Sequence, residues 1–253
     1  MPQIPIAVQM YTVRDAAARD FIGALKRVAE IGYAGVELAG TPVPAADIKR
    51  ACVDLGLAVP SMHVGYDDVV KETDRTIKTG LELGVNYLTC ASLPRALRQT
   101  EEGYRQAAAQ FSVAGEIAAA FGLSVCYHNH DAEFRKLNGK IPYDILFGES
   151  DPRFVKAEVD TYWVEFAGES AAARIRSLTG RCPLTHMKDM ANDKERSFAE
   201  VGTGIMDFAA IIDACKAAGV EWYVVEQDAC KRDPFESIGI SLENMRILLK
   251  AES

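Results

Sequence analysis

The stretch AAFGLSVCYHNH (residues 119–130) decides the fold. Small apolar residues lead into Gly122, where a left-handed glycine can close the last turn of a helix. The apolar run LSVCY then ends on His128, Asn129 and His130. The same order of helix-like stretch, glycine and β-branched or aromatic run returns in AEIGYAGVEL (29–38), VDLGLAVPSMH (53–63), LELGVNYLTC (81–90) and KAAGVEWYVVE (216–226). Runs this continuously apolar suit parallel strands covered on both faces. IAVQMY (6–11), FVKAEVD (154–160) and CPLTHMKD (182–189) have the same character without the glycine, which makes eight strands.

Helical periodicity, with apolar residues at threes and fours as in FIGALKRVAEI, falls near 17–31, 44–55, 69–83, 101–121, 141–148, 170–179, 207–218 and 237–250. Eight βα units in about 250 residues predict a single (β/α)8 TIM barrel spanning residues 1–253. A doubly wound open sheet would need a Gly-rich turn after its first strand, and no G-x-G-x-x-G stands there. VGTGIMDF (201–208) has two glycines ahead of the seventh helix and reads as a turn rather than a phosphate cradle.

The composition excludes several function classes. With 28 Lys+Arg against 36 Asp+Glu the net charge is −8, a poor match to a nucleic-acid surface. No apolar run approaches the roughly 20 residues of a membrane span, and MPQIPIAVQMYTVRD lacks the basic start of a signal peptide. A cytoplasmic enzyme is expected, with neither nucleic acid nor membrane as a partner. Six scattered cysteines without a C-x-x-C pair read as buried small hydrophobes. Cys90, at the end of a strand, is the one thiol placed for chemistry.

In such a barrel the chemistry sits at the C-terminal ends of the strands. Those ends read Gln9 and Tyr11, Glu37, His63, Cys90, His128-Asn129-His130, Asp160, His186 with Lys188 and Asp189, and Glu226 with Asp228. A lone histidine is more often structural than functional, but all four histidines of the chain fall on this one face. Asp160, His186 and Glu226 come from neighbouring strands and can converge. Imidazole with carboxylates suits one divalent metal ion such as Mn, Co, Mg or Zn. The competing reading pairs Asp160 or Glu226 with Lys188, and both arrangements satisfy an acid that would be costly to bury alone.

VQMYTVRD (8–15), GYAGVEL (32–38), SMHVG (61–65), YHNHDAEF (127–134), AEVDTYWVEFAG (157–168), THMKD (185–189), VGTGIMDF and VVEQD (224–228) together resemble the xylose-isomerase-like sugar phosphate isomerase/epimerase family of TIM barrels, including its inosose dehydratase-like members. The resemblance runs from end to end. It implies one divalent metal held by Glu, Asp, His and Glu from strands five to eight, the last three falling on Asp160, His186 and Glu226. The departure is at strand five, where His128 stands at the glutamate's position. Either His128 ligates the metal, the favoured reading, or Glu133 folds back to it.

The expected reaction is isomerisation or epimerisation of a keto sugar or cyclitol, by proton abstraction beside a carbonyl through an enediolate. Glu226 or Glu133 is the candidate base, His130 the acid or shuttle, and Lys188 the group that neutralises developing charge. Gln9, Tyr11, Glu37, His63, Asn129 and Trp163 are the expected substrate contacts. The alternative is a metal-dependent lyase, either a dehydratase of the inosose type or an enzyme of β-elimination from a 3-keto-glycoside. The histidine on strand five makes the two faces unequal and suits that alternative. An apurinic-site endonuclease on the same fold would need a basic groove and more histidines. Apart from Lys188 and Lys231-Arg232 no basic cluster stands at the last strand ends, so an unphosphorylated substrate is expected. The resemblance also allows a homo-oligomer, with no interface patch legible.

Overall fold

The computed structural model describes residues 4–251. Its strands are β1 (Ile6–Gln9), β2 (Gly35–Ala39), β3 (Ser61–Val64), β4 (Tyr87–Cys90), β5 (Ser124–His128), β6 (Val155–Asp160), β7 (Leu184–Met187), β8 (Asp189–Met190), β9 (Phe198–Ala199) and β10 (Trp222–Val225). Eight of them close a parallel barrel in the order β1-β10-β7-β6-β5-β4-β3-β2, so the expected TIM barrel is the fold. The short antiparallel pair β8–β9 stands apart from it, in the connection after β7.

The helix–glycine–strand repeat has a direct structural cause. Gly32, Gly56, Gly84, Gly122 and Gly219 all take positive φ, from 69° to 103°, and each hands the chain from a helix to the next strand. Gly35 serves a different need. A Cβ there would stand 2.7 Å from the Ala58 carbonyl oxygen and 3.1 Å from the Trp222 ring, so only glycine lets β2 lie this close to the chain entering β3. The strands are buried almost throughout, as parallel strands under helices must be. Tyr87, Cys126 and Leu184 pack with Trp222 as a separate small apolar cluster.

Several expected boundaries shift for local reasons. The first strand stops at Gln9, whose side chain accepts the Tyr11 N–H and turns Met10–Val13 into a 3-10 helix. The expected helix 17–31 is two, Arg14–Arg19 and Phe21–Ile31, because Asp20 takes an extended backbone and caps the second through the Gly23 N–H. The stretch 69–83 likewise divides into Tyr66–Val70 and Thr73–Leu83. A helix at Thr161–Phe166, not expected from periodicity, is started by Asp160 accepting the Trp163 N–H.

The glycines of VGTGIMDF do form a turn before the helix Phe208–Ala218, and the turn is organised around an internal anion. The Asp189 carboxylate accepts the backbone N–H groups of Gly202 and Gly204, both at 2.9 Å, and of Met206 at 3.2 Å. None of the helices among the described residues is long and apolar enough to cross a membrane.

Candidate metal centre and active site

Because alternate strand residues face the axis, Gln9, Glu37, His63, His128, Glu158, Asp160 and His186 bring their side chains into one space above the apolar core. Lys188, Glu226 and Asp228 join them from the segments just beyond β7 and β10. Around the axis, Glu37 Oε2 receives the Gln9 amide at 2.7 Å and lies 2.6 Å from His186 Nε2. Glu158 Oε2 lies 2.8 Å from His63 Nε2 and 3.0 Å from His128 Nδ1. Nearer the mouth, His186 Nδ1 is 2.8 Å from Glu226 Oε2 and His128 Nε2 is 3.6 Å from Asp160 Oδ2. The Lys188 ammonium sits 2.8 Å from Asp160 Oδ2, 2.6 Å from Glu226 Oε2 and 2.8 Å from Asp228 Oδ2.

This much buried charge perturbs every group. Burial lowers the His186 and His63 pKa values, but their carboxylate neighbours more than reverse that. His186 stays protonated well above the ordinary imidazole range, and His63 is raised to about 10. His128 moves the other way, lowered by burial and by the cationic groups His186 and Lys188. Burial and the charge of Glu37 raise Glu158 to about 8. Glu226 would also be raised by burial, yet Lys188 and His186 hold it below its usual range.

Two overlapping sets could hold a cation, each with its donor atoms within 4.8 Å of one another: His128, Asp160, His186 and Glu226, and beneath it His63, His128, Glu158 and His186. The first is the set of imidazoles and carboxylates reached from the strand ends. It also meets a physical test, since the buried Asp160 Oδ2 faces the nitrogens of Lys188 at 2.8 Å, His128 at 3.6 Å and His186 at 4.0 Å, an oxygen placed for positive charge. A divalent cation satisfies such an oxygen. The donor set fits a divalent metal.

The expected substrate contacts separate into two groups. Tyr11 and His63 line a cleft of about 550 Å³ with Gly40, Thr41 and Arg75, and Tyr11 stands at the rim beneath Arg14. Trp163 faces the mouth, its ring 5.7 Å from His130 and 6.0 Å from the Lys188 ammonium. Gln9, Glu37 and Asn129 are buried and hydrogen-bonded to neighbouring groups. Gln9 and Glu37 are wholly buried and engaged with each other and with His186. Asn129 is buried with its amide oxygen on the Asp160 N–H and its amide nitrogen on the Asp160 carbonyl, which fixes the backbone of that carboxylate.

Glu133 is turned away as well. Its carboxylate accepts the Tyr127 hydroxyl at 3.0 Å and the His130 N–H at 2.8 Å, and burial raises its pKa. Tyr127 points to the opposite side of β5 from His128, so Glu133 lies outside the cluster and His128 alone reaches it from this strand. Cys90 is inert, its thiol donating to the Ser92 carbonyl and pushed up to about 12 by burial. Glu158 was not among the strand-end candidates. Its signal was available, because it lies two residues before Asp160 on the same face of β6.

Residues 25–249 match the family described as xylose isomerase-like TIM barrel. Among curated proteins, the inosose dehydratase of Geobacillus thermodenitrificans is 30% identical over 141 residues, 48% of this chain and 47% of that protein. The chain thus matches over about half the length of such curated relatives. Among solved structures, a sugar phosphate isomerase/epimerase from Parabacteroides distasonis superposes with a TM-score of 0.84 at 25% identity, over 97% of this chain and 94% of that one. An IOLI protein with a bound zinc atom shares the fold at a TM-score of 0.75 and 13% identity, over 98% of this chain and 99% of that one. By its barrel, its strand-end constellation and a match covering most of its length, the chain belongs to the xylose isomerase-like TIM barrel family.

Proposed function

We propose that the protein is a divalent-metal-dependent isomerase or epimerase of a keto sugar or cyclitol, working by proton abstraction beside a carbonyl. The observation that carries this reading is the convergence of His128, Asp160, His186 and Glu226, with donor atoms within 4.8 Å of one another at the mouth of the barrel. The names of its relatives, an inosose dehydratase and a sugar phosphate isomerase/epimerase, support a sugar or cyclitol substrate. Two imidazoles and two carboxylates suit Mn, Co, Mg or Zn. When bound, the cation would supply Lewis-acid polarisation of the substrate carbonyl.

The chain's own groups divide the proton work. Lys188 is held as an ammonium by Asp160, Glu226 and Asp228 despite burial, and it stabilises the oxygen that gathers charge as the α-proton leaves. Burial lowers His130 to about 4, so its imidazole is neutral at neutral pH with a lone pair to accept the α-proton, and the nearby charges of Asp228 and Glu226 favour the imidazolium that forms. His130 is therefore the base in this scheme, a role the sequence assigned to a carboxylate. Glu226, kept below its usual range, serves better as a ligand. The indole of Trp163 forms the flat wall against which sugar C–H groups pack.

A lyase is the second reading, favoured by the asymmetry of the opening. Imidazoles of His63, His128 and His130 come from the β3 and β5 ends, and the Lys188 ammonium with Asp228 from beyond β7 and β10, a cation that would hydrogen-bond a departing hydroxyl. Mass spectrometry of a keto-sugar and inosose panel, incubated with Mn-loaded protein in heavy water, separates the two. A product one mass unit heavier supports isomerase or epimerase, whereas loss of water or of an aglycone establishes the lyase. Equal turnover in chelated protein, or by His186→Ala, would refute the metal-dependent reading altogether.

A further inference from the structure

Both imidazoles of the candidate quartet have partners on each ring nitrogen, and the partners divide by depth. His128 turns Nε2 toward Asp160 at 3.6 Å and Nδ1 toward Glu158 at 3.0 Å. His186 turns Nδ1 toward Glu226 at 2.8 Å and Nε2 toward Glu37 at 2.6 Å. An imidazole that ligates a cation through one nitrogen carries its hydrogen on the other, and that hydrogen needs an acceptor. With the cation on the side of Asp160 and Glu226, the acceptors in reach are Glu158 and Glu37.

We propose that Glu158 is a positioning residue for the metal centre, accepting the Nδ1–H of His128 so that Nε2 is presented to the cation, with Glu37 doing the same for His186. The inference rests on the metal reading above and goes beyond it. Register makes the contact specific, because His128 and Glu158 are directly paired across β5 and β6, and Glu158 and Asp160 are two apart on one strand face. Where the family resemblance places a ligating carboxylate on strand five, His128 stands here, and a carboxylate from β6 lies behind it. A neutral imidazole takes the ligand position, and a buried carboxyl oxygen behind it accepts the hydrogen on its other ring nitrogen. Glu158 is wholly buried and its Oε2 also reaches His63 at 2.8 Å, which holds the carboxylate in place from a third strand.

The competing arrangement makes Glu158 itself a ligand, with His63, His128 and His186 of the deeper set. It uses His128 Nδ1 and His186 Nε2, so for each ring the two arrangements exclude one another, and the tautomers tell them apart. The experiment loads the full chain, labelled with ¹⁵N-histidine, with Zn(II) and records two-bond ¹H–¹⁵N spectra. The expected pattern is His128 protonated at Nδ1 and zinc-bound at Nε2, and His186 the reverse. Zn(II) affinity is measured alongside by competition with a chromophoric chelator.

Glu158→Gln keeps the shape and should lose roughly 10–100-fold in affinity, and Glu158→Asp should recover part of that. The opposite tautomer pattern would put zinc in the deeper set and overturn the proposal. Glu158→Gln within about twofold of the unchanged protein would also overturn it, while leaving the metal reading intact. Unchanged protein that takes up no zinc removes both.

Discussion

Lys188→Met should destabilise the metal-free protein strongly and make it more responsive to metal. The lysine is 1% exposed and its ammonium lies 2.6–2.8 Å from three carboxylate oxygens, of Asp160, Glu226 and Asp228. Methionine nearly conserves the volume, so the packing cost is small. The charge cost is not, because removing one partner of a buried ion pair costs about 3–5 kcal/mol. In a chain of this size each kcal/mol moves Tm by about 2–4 °C, so a fall of roughly 6–20 °C is expected in chelator. Asp160 and Glu226 are also candidate metal ligands, so a divalent cation can replace the missing positive charge. Metal at about 100 times its Kd adds about 2.7 kcal/mol to any binder, and the variant should gain more than the unchanged protein at equal metal. Calorimetry in EDTA and in Mn(II) tests both parts. A variant within about 2 °C of the parent in EDTA would refute the claim that these acids depend on the ammonium. An equal metal response in both proteins would refute the shared use of their oxygens.

Metal affinity should rise as pH climbs above the ordinary imidazole range, because His186, held protonated by its carboxylate neighbours, must lose that proton to ligate. Calorimetric titration in buffers of different ionisation enthalpy reads the released proton, and a flat affinity would refute the assignment. In metal-free protein the sign reverses. His63 is raised from 6.5 to about 10, so its contribution is complete below 6.5 and lost as pH climbs toward 10, and Tm should fall across that window. Asp189→Asn should lower Tm without touching the metal quartet. An amide can present only one oxygen, which leaves two of the four N–H groups of Met190, Gly202, Gly204 and Met206 unsatisfied, at about 1–3 kcal/mol each. A thermal scan showing no change would mean that solvent replaces those bonds.

The parts of this protein legible in its sequence are those fixed by neighbours along the chain. A glycine that must take positive φ at a helix end announces the next strand, so the barrel is readable from Gly32, Gly56, Gly84, Gly122 and Gly219. Asp160, His186 and Glu226 were legible because acids and imidazoles directly after apolar runs have few places to go. What depends on direction or register was not. Asn129 and Glu133 follow His128 by one and five residues, yet a polar residue leaving a strand can turn toward the axis or back under the helices. Here the Asp160 peptide takes the first and the Tyr127 hydroxyl the second.

Glu158 was hidden for the complementary reason. Reading only the last residue of each strand discards the one two places earlier, which alternation puts on the same face. Its meaning appears only when the β5–β6 register sets it opposite His128. The departure at strand five and the unremarked acid on strand six are thus one feature. Taken singly, the histidine looks like a lost ligand and the glutamate like an unexplained buried charge. Paired across the barrel wall, they form an imidazole–carboxylate unit in which each accounts for the burial of the other.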